Sequence, residues 1–232
     1  RENHSRIVVK CGSSLLMQNN GDVHKHCFHS LAEQISELID RGAQIVLVAS
    51  GAIAMGRSVL PENNEGVSTL ARQVLAAVGQ GPLMAEFARS FSEFGIDIAQ
   101  ALLSRGSLNQ RDGYLNARNT LLELMQRNIV TIVNENDVVA TEELQFGDND
   151  RLAALVANLV DADLLVMLTD VDGYLSPDDQ GQLQVVPIVN HVSPDMLRWA
   201  GGAGSETGTG GMRTKLEAAG LAMSHGTKVV IG

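Results

Sequence analysis

Short apolar runs rich in valine, isoleucine and leucine recur along the chain, with longer stretches of helical spacing between them. The runs cover residues 7–9, 45–49, 96–103, 129–133, 164–168 and 229–231. Continuous runs of this kind suit strands buried on both faces of a parallel sheet; strict alternation would mark strands with one wet face. Phe28, Leu31, Ile35, Leu38 and Ile39 form one helical stripe, and Leu70, Val74, Leu75 and Val78 form another. Leu83, Phe87, Phe91 and Phe94 follow Pro82, which this reading places in the first turn of a helix of its own. Leu152, Leu155, Val156 and Leu159 repeat the helical spacing, as do Met212, Leu216 and Met223. Strands alternating with helices predict an α/β fold, a three-layer αβα sandwich around a mainly parallel, open central sheet.

No internal repeat and no linker breaks this pattern, so residues 1–232 read as one domain large enough to bury a substantial core. The glycine-rich stretch that begins at Gly201 is flanked by structured segments and reads as a functional loop. In an open parallel sheet, ligands bind beyond the carboxyl ends of the strands. The informative residues should therefore follow the apolar runs, and polar, glycine-rich segments do.

The first run ends in Lys10-Cys11-Gly12-Ser13-Ser14. An ammonium followed by glycine and two hydroxyls can be aimed at a phosphate, although taken alone an edge lysine before an ordinary turn is the better account. The second run ends in Ser50-Gly51-Ala52, where a helix start with close backbone approach would favour an anion such as a carboxylate. A plain serine N-cap explains that segment equally well. After the fourth run come Asn134-Glu135-Asn136-Asp137 and then Gly147-Asp148-Asn149-Asp150. Asp148 could cap the helix that follows, and Asp150 would stand in its first turn, where negative charge is favoured. That accounts for one carboxylate but not for two dense amide and carboxylate clusters, which suit an amino acid's ammonium and carboxylate.

The fifth run leads into Thr169-Asp170-Val171-Asp172-Gly173, which lacks the spacing and terminal glutamate of an EF-hand and fits a turn with a nucleotide contact. The most specific segment is Gly208-Thr209-Gly210-Gly211-Met212-Arg213-Thr214-Lys215, opening a helix. Glycines admit backbone N–H groups to phosphates, and the helix start adds partial positive charge. It has neither the order of a Walker A loop nor that of a dinucleotide-binding fingerprint. His24, His26 and His29 lack a completing carboxylate or thiol motif and read as helix-start histidines rather than metal ligands.

Composition narrows the field. A formal net charge of -10 argues against a nucleic-acid or anionic-membrane binder, so anionic substrates would need positive charge concentrated locally. Only Cys11 and Cys27 occur, without a disulfide framework, and the reading is cytoplasmic. No apolar stretch approaches the roughly 18 residues of a membrane span. The absent initiating Met suggests a portion of a longer protein.

In this order, the segments resemble the amino-acid kinase family. The resemblance rests on residues 8–14, Ser50-Gly51-Ala52-Ile53, Ala76-Ala77-Val78-Gly79-Gln80, the two Asn/Asp clusters from Asn134 and from Phe146, and residues 208–215, spanning almost the whole chain. The two clusters separate it from the acetylglutamate, aspartate, carbamate and uridylate kinases of that family. The resemblance implies ATP-dependent phosphorylation of the L-glutamate γ-carboxylate, the opening step of proline biosynthesis, with magnesium whose ligands it leaves unknown. It implies glutamate binding in the N-terminal part through Ser50, Gly51, Asn134, Asp137, Asp148 and Asn149. ATP would bind in the C-terminal part through Gly12, Thr169, Asp170, Gly208, Thr209, Gly210, Gly211, Met212, Arg213, Thr214 and Lys215. Lys10 and Lys215 would stabilise the transferring phosphoryl group, with Asp150 holding both. It further implies a homo-oligomer, dimer or tetramer, and proline as a feedback inhibitor. The C-terminal PUA domain of many bacterial members is absent from this chain. Another kinase of the family and a ligand-binding sensor on the same fold remain the alternatives.

Overall fold

The apolar runs become a six-stranded sheet in which every pairing is parallel, with helices packed on both faces of its central strands. A computed structural model describes residues 5–18, 21–60, 68–140, 149–178, 180–200 and 211–232. The first half holds β1 (Arg6–Cys11), α1 (Ser13–Leu16), α2 (Lys25–Asp40), β2 (Gln44–Ala49), α3 (Ala52–Val59), α4 (Thr69–Ser92), β3 (Ile98–Leu103), α5 (Arg105–Asn109), α6 (Arg111–Gln126) and β4 (Val130–Glu135). The second holds α7 (Asn149–Leu159), β5 (Leu164–Met167), β6 (Leu175–Pro177), β7 (Leu183–Val185), α8 (Pro194–Ala200), α9 (Met212–Met223) and β8 (Lys228–Ile231).

The strand order is β3-β4-β2-β1-β5-β8. The chain builds outward from β1 in one direction through β2 and in the other through β5, so the order switches at β1. A crevice opens beyond the strand ends at such a point. Side chains alternate across the sheet. Ile7, Val9 and Cys11 of β1 join a core with α2, α3 and α4, while Val8 joins a second core with α6, α7 and α9. The three layers predicted from the sequence are present.

Two details differ from the sequence reading. Pro82 does not open a helix: it lies inside α4, which runs unbroken from Thr69 after an N-cap in which Ser68 Oγ accepts from the Ala71 amide at 3.2 Å. An internal proline forfeits one helical hydrogen bond and crowds the carbonyl four residues back, at about 3 kcal/mol. Burial of Leu75, Leu83, Phe87 and Phe91 along one continuous face offsets that cost, with the Phe28 and Phe87 rings 4.7 Å apart. The short antiparallel pair β6–β7 was also not read from the sequence; its strands are mostly exposed and leave no apolar run. Among the described residues, no helix is long and apolar enough to cross a membrane.

Helices α3 and α4 cross with their backbones in contact. A Cβ on Gly79 would lie 1.9 Å from the Ala52 carbonyl oxygen and 2.3 Å from the Gly56 amide nitrogen, and one on Gly56 would lie 2.0 Å from the Leu75 oxygen. A Cβ on Gly81 would meet nothing within 4 Å. Gly79→Ala should therefore destabilise the fold by about 3 kcal/mol through overpacking. Gly81→Ala should stabilise it by roughly 0.5–1 kcal/mol through helix propensity. Urea unfolding midpoints that move in the same direction for both variants would contradict this account of the crossing.

Candidate functional site

Lys10 projects from the penultimate position of β1 toward the α7 and α9 layer, the same face as Val8. There it meets Asp150, in the first turn of α7, with Nζ 2.6 Å from Oδ1. Lys215, from the start of α9, approaches the other oxygen, with Nζ 3.2 Å from Oδ2. Thr214 Oγ1 lies 3.1 Å from Oδ2 and 2.8 Å from the Gly211 carbonyl, between which it shares its one proton. Asp150 has no exposed surface, and Lys10 and Lys215 are 5% and 7% exposed. Among the described residues the buried charged side chains are Lys10, Glu135, Asp150 and Lys215, so three of the four meet at one point. Among the described residues, two ammoniums thus converge on one carboxylate in a chain of net charge -10. The sheet's switch point is thus locally suited to anions.

The residue before Asp150 organises a second group. Asn149 Nδ2 is 2.8 Å from the Ala49 carbonyl, 3.0 Å from Ser50 Oγ and 2.9 Å from Asn134 Oδ1, reaching the ends of β2 and β4 together. Asn134 Oδ1 also accepts from the Glu135 amide at 2.8 Å, and Asn134 Nδ2 donates to Gln80 Oε1 at 3.0 Å. Gln80 Nε2 is buried and has no hydrogen-bond partner among the described residues. A buried donor in that state calls for an acceptor. Gln80 sits next to Gly79, so the close crossing of α3 and α4 fixes its distance from Asn134. Ser50 does not cap α3: Gly51 is the N-cap, with φ of 111° in the left-handed region, and the Ser50 hydroxyl is left to face Asn149.

Asp137 follows β4 in a turn held by Gln73 Nε2, which donates to the Ala140 carbonyl at 2.9 Å. Burial raises the Asp137 pKa above the ordinary aspartate range, and the Arg72 charge on α4 pulls against that rise. Gly12 lies close to Lys10: a Cβ there would be 3.7 Å from its Nζ. Thr169 and the exposed Asp170 follow β5 on the same rim, where the Thr169 amide donates to the Gly232 carbonyl at 3.1 Å. Gly211 caps α9, and Met212 is half-buried in its first turn. Arg213 points away, exposed and paired with Glu217 at 2.9 Å. Asp148, Gly208, Thr209 and Gly210 lie outside the described residues. Among the described residues, no cluster of three or more His, Cys, Asp or Glu side chains could hold a metal ion.

Gln80 and Arg72 gained no role from the sequence. Gln80 stood within a quoted motif, but only the α4 packing brings it to Asn134. Nothing in the local sequence around Arg72 signals Asp137.

Asp150→Ala should lower stability by about 3–5 kcal/mol, since it leaves two buried ammoniums without their common counter-charge. Asp137→Asn should behave oppositely. With a raised folded pKa, the stability linked to Asp137 is present at low pH and lost as pH rises through that pKa. The variant should equal or exceed the parent in Tm at neutral pH, with the difference closing on acidification; a lower Tm at neutral pH would refute this.

Residues 5–232 match the model of the amino acid kinase family. The chain is 46% identical to the glutamate 5-kinase of Dehalococcoides mccartyi, over 98% of this chain and 62% of that protein. It is 43% identical to the glutamate 5-kinase of Caldanaerobacter subterraneus, over 97% of this chain and 61% of that protein. The chain therefore spans under two thirds of the length of these curated relatives. Among solved structures, it superposes on the carbamate kinase from Giardia lamblia bound to AMP-PNP with a TM-score of 0.68 and 16% identity, covering 99% of this chain and 92% of the other. That likeness concerns the fold. With a family match running from residue 5 to residue 232, the chain belongs to the amino acid kinase family.

Proposed function

We propose that this chain is the catalytic domain of a glutamate 5-kinase, transferring the γ-phosphoryl group of ATP to the γ-carboxylate of L-glutamate. The observation that carries this reading is the adjacency of Asn149 and Asp150. One reaches Ser50 and Asn134, and the next holds Lys10 and Lys215, so an amino-acid pocket and a phosphoryl pocket share a wall. The relatives named above support the choice of substrate.

Glutamate enters on the side of β2, β4 and α4. Asp137 and the amides of Asn134 and Asn149 address its ammonium and α-carboxylate, and the buried Gln80 Nε2 is a further donor for a carboxylate oxygen. Asp148, outside the described residues, and Gly51 complete that side. ATP lies over the other half of the rim, against Gly12, Thr169 and Asp170, and against the start of α9 at Gly211 and Met212, with Gly208, Thr209 and Gly210, outside the described residues, assigned to it by the family resemblance. The exposed Arg213 belongs to the outer edge of that surface.

The γ-carboxyl group has a reference pKa of roughly 4.3 and arrives ionised, so no general base is needed. One of its oxygens attacks the γ-phosphorus in line, the bond to the β–γ bridging oxygen breaks, and ADP leaves with that electron pair. Lys10 and Lys215 stabilise the charge spread over the transferring group, while Asp150 holds both ammoniums where they would otherwise repel. A magnesium ion bound with the triphosphate would neutralise phosphate charge. It would take most ligands from phosphate and water, and the exposed Asp170 is one carboxylate on this rim that could reach it. The free state of both cysteines fits a cytoplasmic enzyme.

The test is ADP release in the presence of L-glutamate, N-acetylglutamate or aspartate, with hydroxylamine capturing the acyl phosphate. Turnover should require L-glutamate. Preference for N-acetylglutamate would shift the reading to another kinase of the family, and ATP binding without turnover would favour a sensor. Lys10→Ala should lower kcat by about 10²–10³, the scale for one lost transition-state charge stabiliser. Asp137→Asn should instead raise KM for glutamate by about 10–100-fold, the worth of a charge-assisted hydrogen bond. In the parent, that KM should rise as pH falls through the raised Asp137 pKa. A KM effect confined to ATP would refute the division of the cleft.

A further inference from the structure

Helix α4 carries two glutamines seven residues apart, and both reach the segment that leaves β4. Gln80 Oε1 accepts from Asn134 Nδ2 at 3.0 Å, near the end of the strand. Gln73 Nε2 donates to the Ala140 carbonyl at 2.9 Å, where the turn after the strand closes. Seven residues are two helical turns, so the two side chains leave one face of α4 about 10 Å apart. Asp137 lies between the two points of attachment. α4 is itself fixed, because it buries Leu75, Leu83, Phe87 and Phe91 and its backbone meets α3 at Gly79.

The turn is pinned at both ends. At its near end the Asn136 amide donates to the Leu103 carbonyl of β3 at 2.8 Å. Within it, the Val139 amide donates to the Asn136 carbonyl at 3.2 Å and the Ala140 amide to the Asp137 carbonyl at 3.3 Å. Val138 and Val139 at its tip are 55% and 58% exposed, so their side chains anchor it little. Ala140 is 2% exposed, and it joins Asp137 through its amide to α4 through its carbonyl. Without the Gln73 amide, that carbonyl would lose its partner in a buried setting. The turn would shift to satisfy it, and Asp137 would move with the turn.

We propose that Gln73 is a positioning residue for the amino-acid side of the cleft, which fixes Asp137 at a set distance from the phosphoryl cluster and so selects the length of the acceptor amino acid. The inference rests on the reading of Asp137 as a partner of the substrate's ammonium. A substrate held there must carry its reacting carboxylate to Lys10 and Lys215, and glutamate is one methylene longer than aspartate. While Asp137 is fixed, the shorter acid cannot make both contacts. Once the turn is released, that contrast weakens. Gln73 acts through Ala140 and Asp137 and does not itself touch the reacting atoms.

The test compares the parent protein with Gln73→Met, which keeps the length of the side chain but has no donor, and with Gln73→Leu as a second variant. Both replacements are good helix formers. ADP release gives kcat, KM for L-glutamate and for ATP, and kcat/KM for L-aspartate. Each variant should raise KM for glutamate by about 3–10-fold, the worth of one hydrogen bond, with kcat and KM for ATP held within about twofold. The ratio of kcat/KM for glutamate to that for aspartate should fall by a similar factor. Amide hydrogen exchange of the substrate-free protein, read by NMR, supplies a measurement that needs no turnover. The Val139 and Ala140 amides should exchange faster in both variants, while the amides of α4 keep their parental rates. Unchanged exchange at Val139 and Ala140 would overturn the proposal, as would an unchanged KM for glutamate or an equal rise in KM for ATP. A parent that turns over no L-glutamate would remove the functional reading and this inference with it. That result is distinct from an active parent whose variants keep the parental KM, which would remove this inference alone.

Discussion

The contact between one carboxylate and two ammoniums at Asp150 governs the arrangement of the site. Removing three charges from water is costly, and the mutual attraction of a buried pair often only balances its desolvation. The cluster is therefore a poor device for stability and a demanding one for the fold. It needs the end of β1, the first turn of α7 and the start of α9 to arrive together within hydrogen-bond distance. The topology supplies that convergence. Strand order reverses at β1, and α7 and α9 pack side by side over one face of the sheet, with their N-termini at the same rim. The α7 dipole favours the negative charge in its first turn, so the helix itself helps keep Asp150 ionised between the lysines.

The consequence is a local sign opposite to that of the whole chain. A net charge of -10 repels phosphates at long range, yet that field is screened within about 8–10 Å at ordinary ionic strength. Close to Asp150, the two ammoniums of Lys10 and Lys215 lie within contact range of one carboxylate, and at that range they outweigh the screened field of the whole chain. Lys10 and Lys215 can be held this close only while Asp150 lies between them. The cluster is thus pre-organised before any substrate is bound, which is what electrostatic catalysis requires.

Much of this was legible in the sequence. Burial on both faces made the strands continuous apolar runs, and the rule that ligands sit past strand ends directed attention to Lys10, Ser50, Asn134 and Thr169. Asp150 was readable twice, as a first-turn carboxylate and as part of a dense polar cluster. Less was readable in α4, where local rules end a helix at Pro82 and tertiary burial of Leu75, Leu83, Phe87 and Phe91 overrides them. Gln80 was hidden for a related reason. Its partner, Asn134, is set by a backbone crossing at Gly56 and Gly79, and no local pattern announces which two helices will touch. Arg213 shows the converse: its place among glycines and Lys215 suggests the cleft, but one helical step turns it outward to Glu217.

β1 serves both sides of the cleft while presenting neighbouring residues to opposite faces of the sheet. Lys10 faces α7 and α9, and Cys11, the next residue, joins the core with α2, α3 and α4. The strand is held on both edges, with Lys10 in register with Val48 of β2 and Met167 of β5, and the Cys11 carbonyl accepting from the Ser50 amide at 3.1 Å. The end of β1 therefore positions Ser50 as directly as it positions Lys10. A change in the packing around Cys11 would reach the hydroxyl that faces Asn149 as well as the ammonium at Asp150, so the two sides of the cleft share one backbone support.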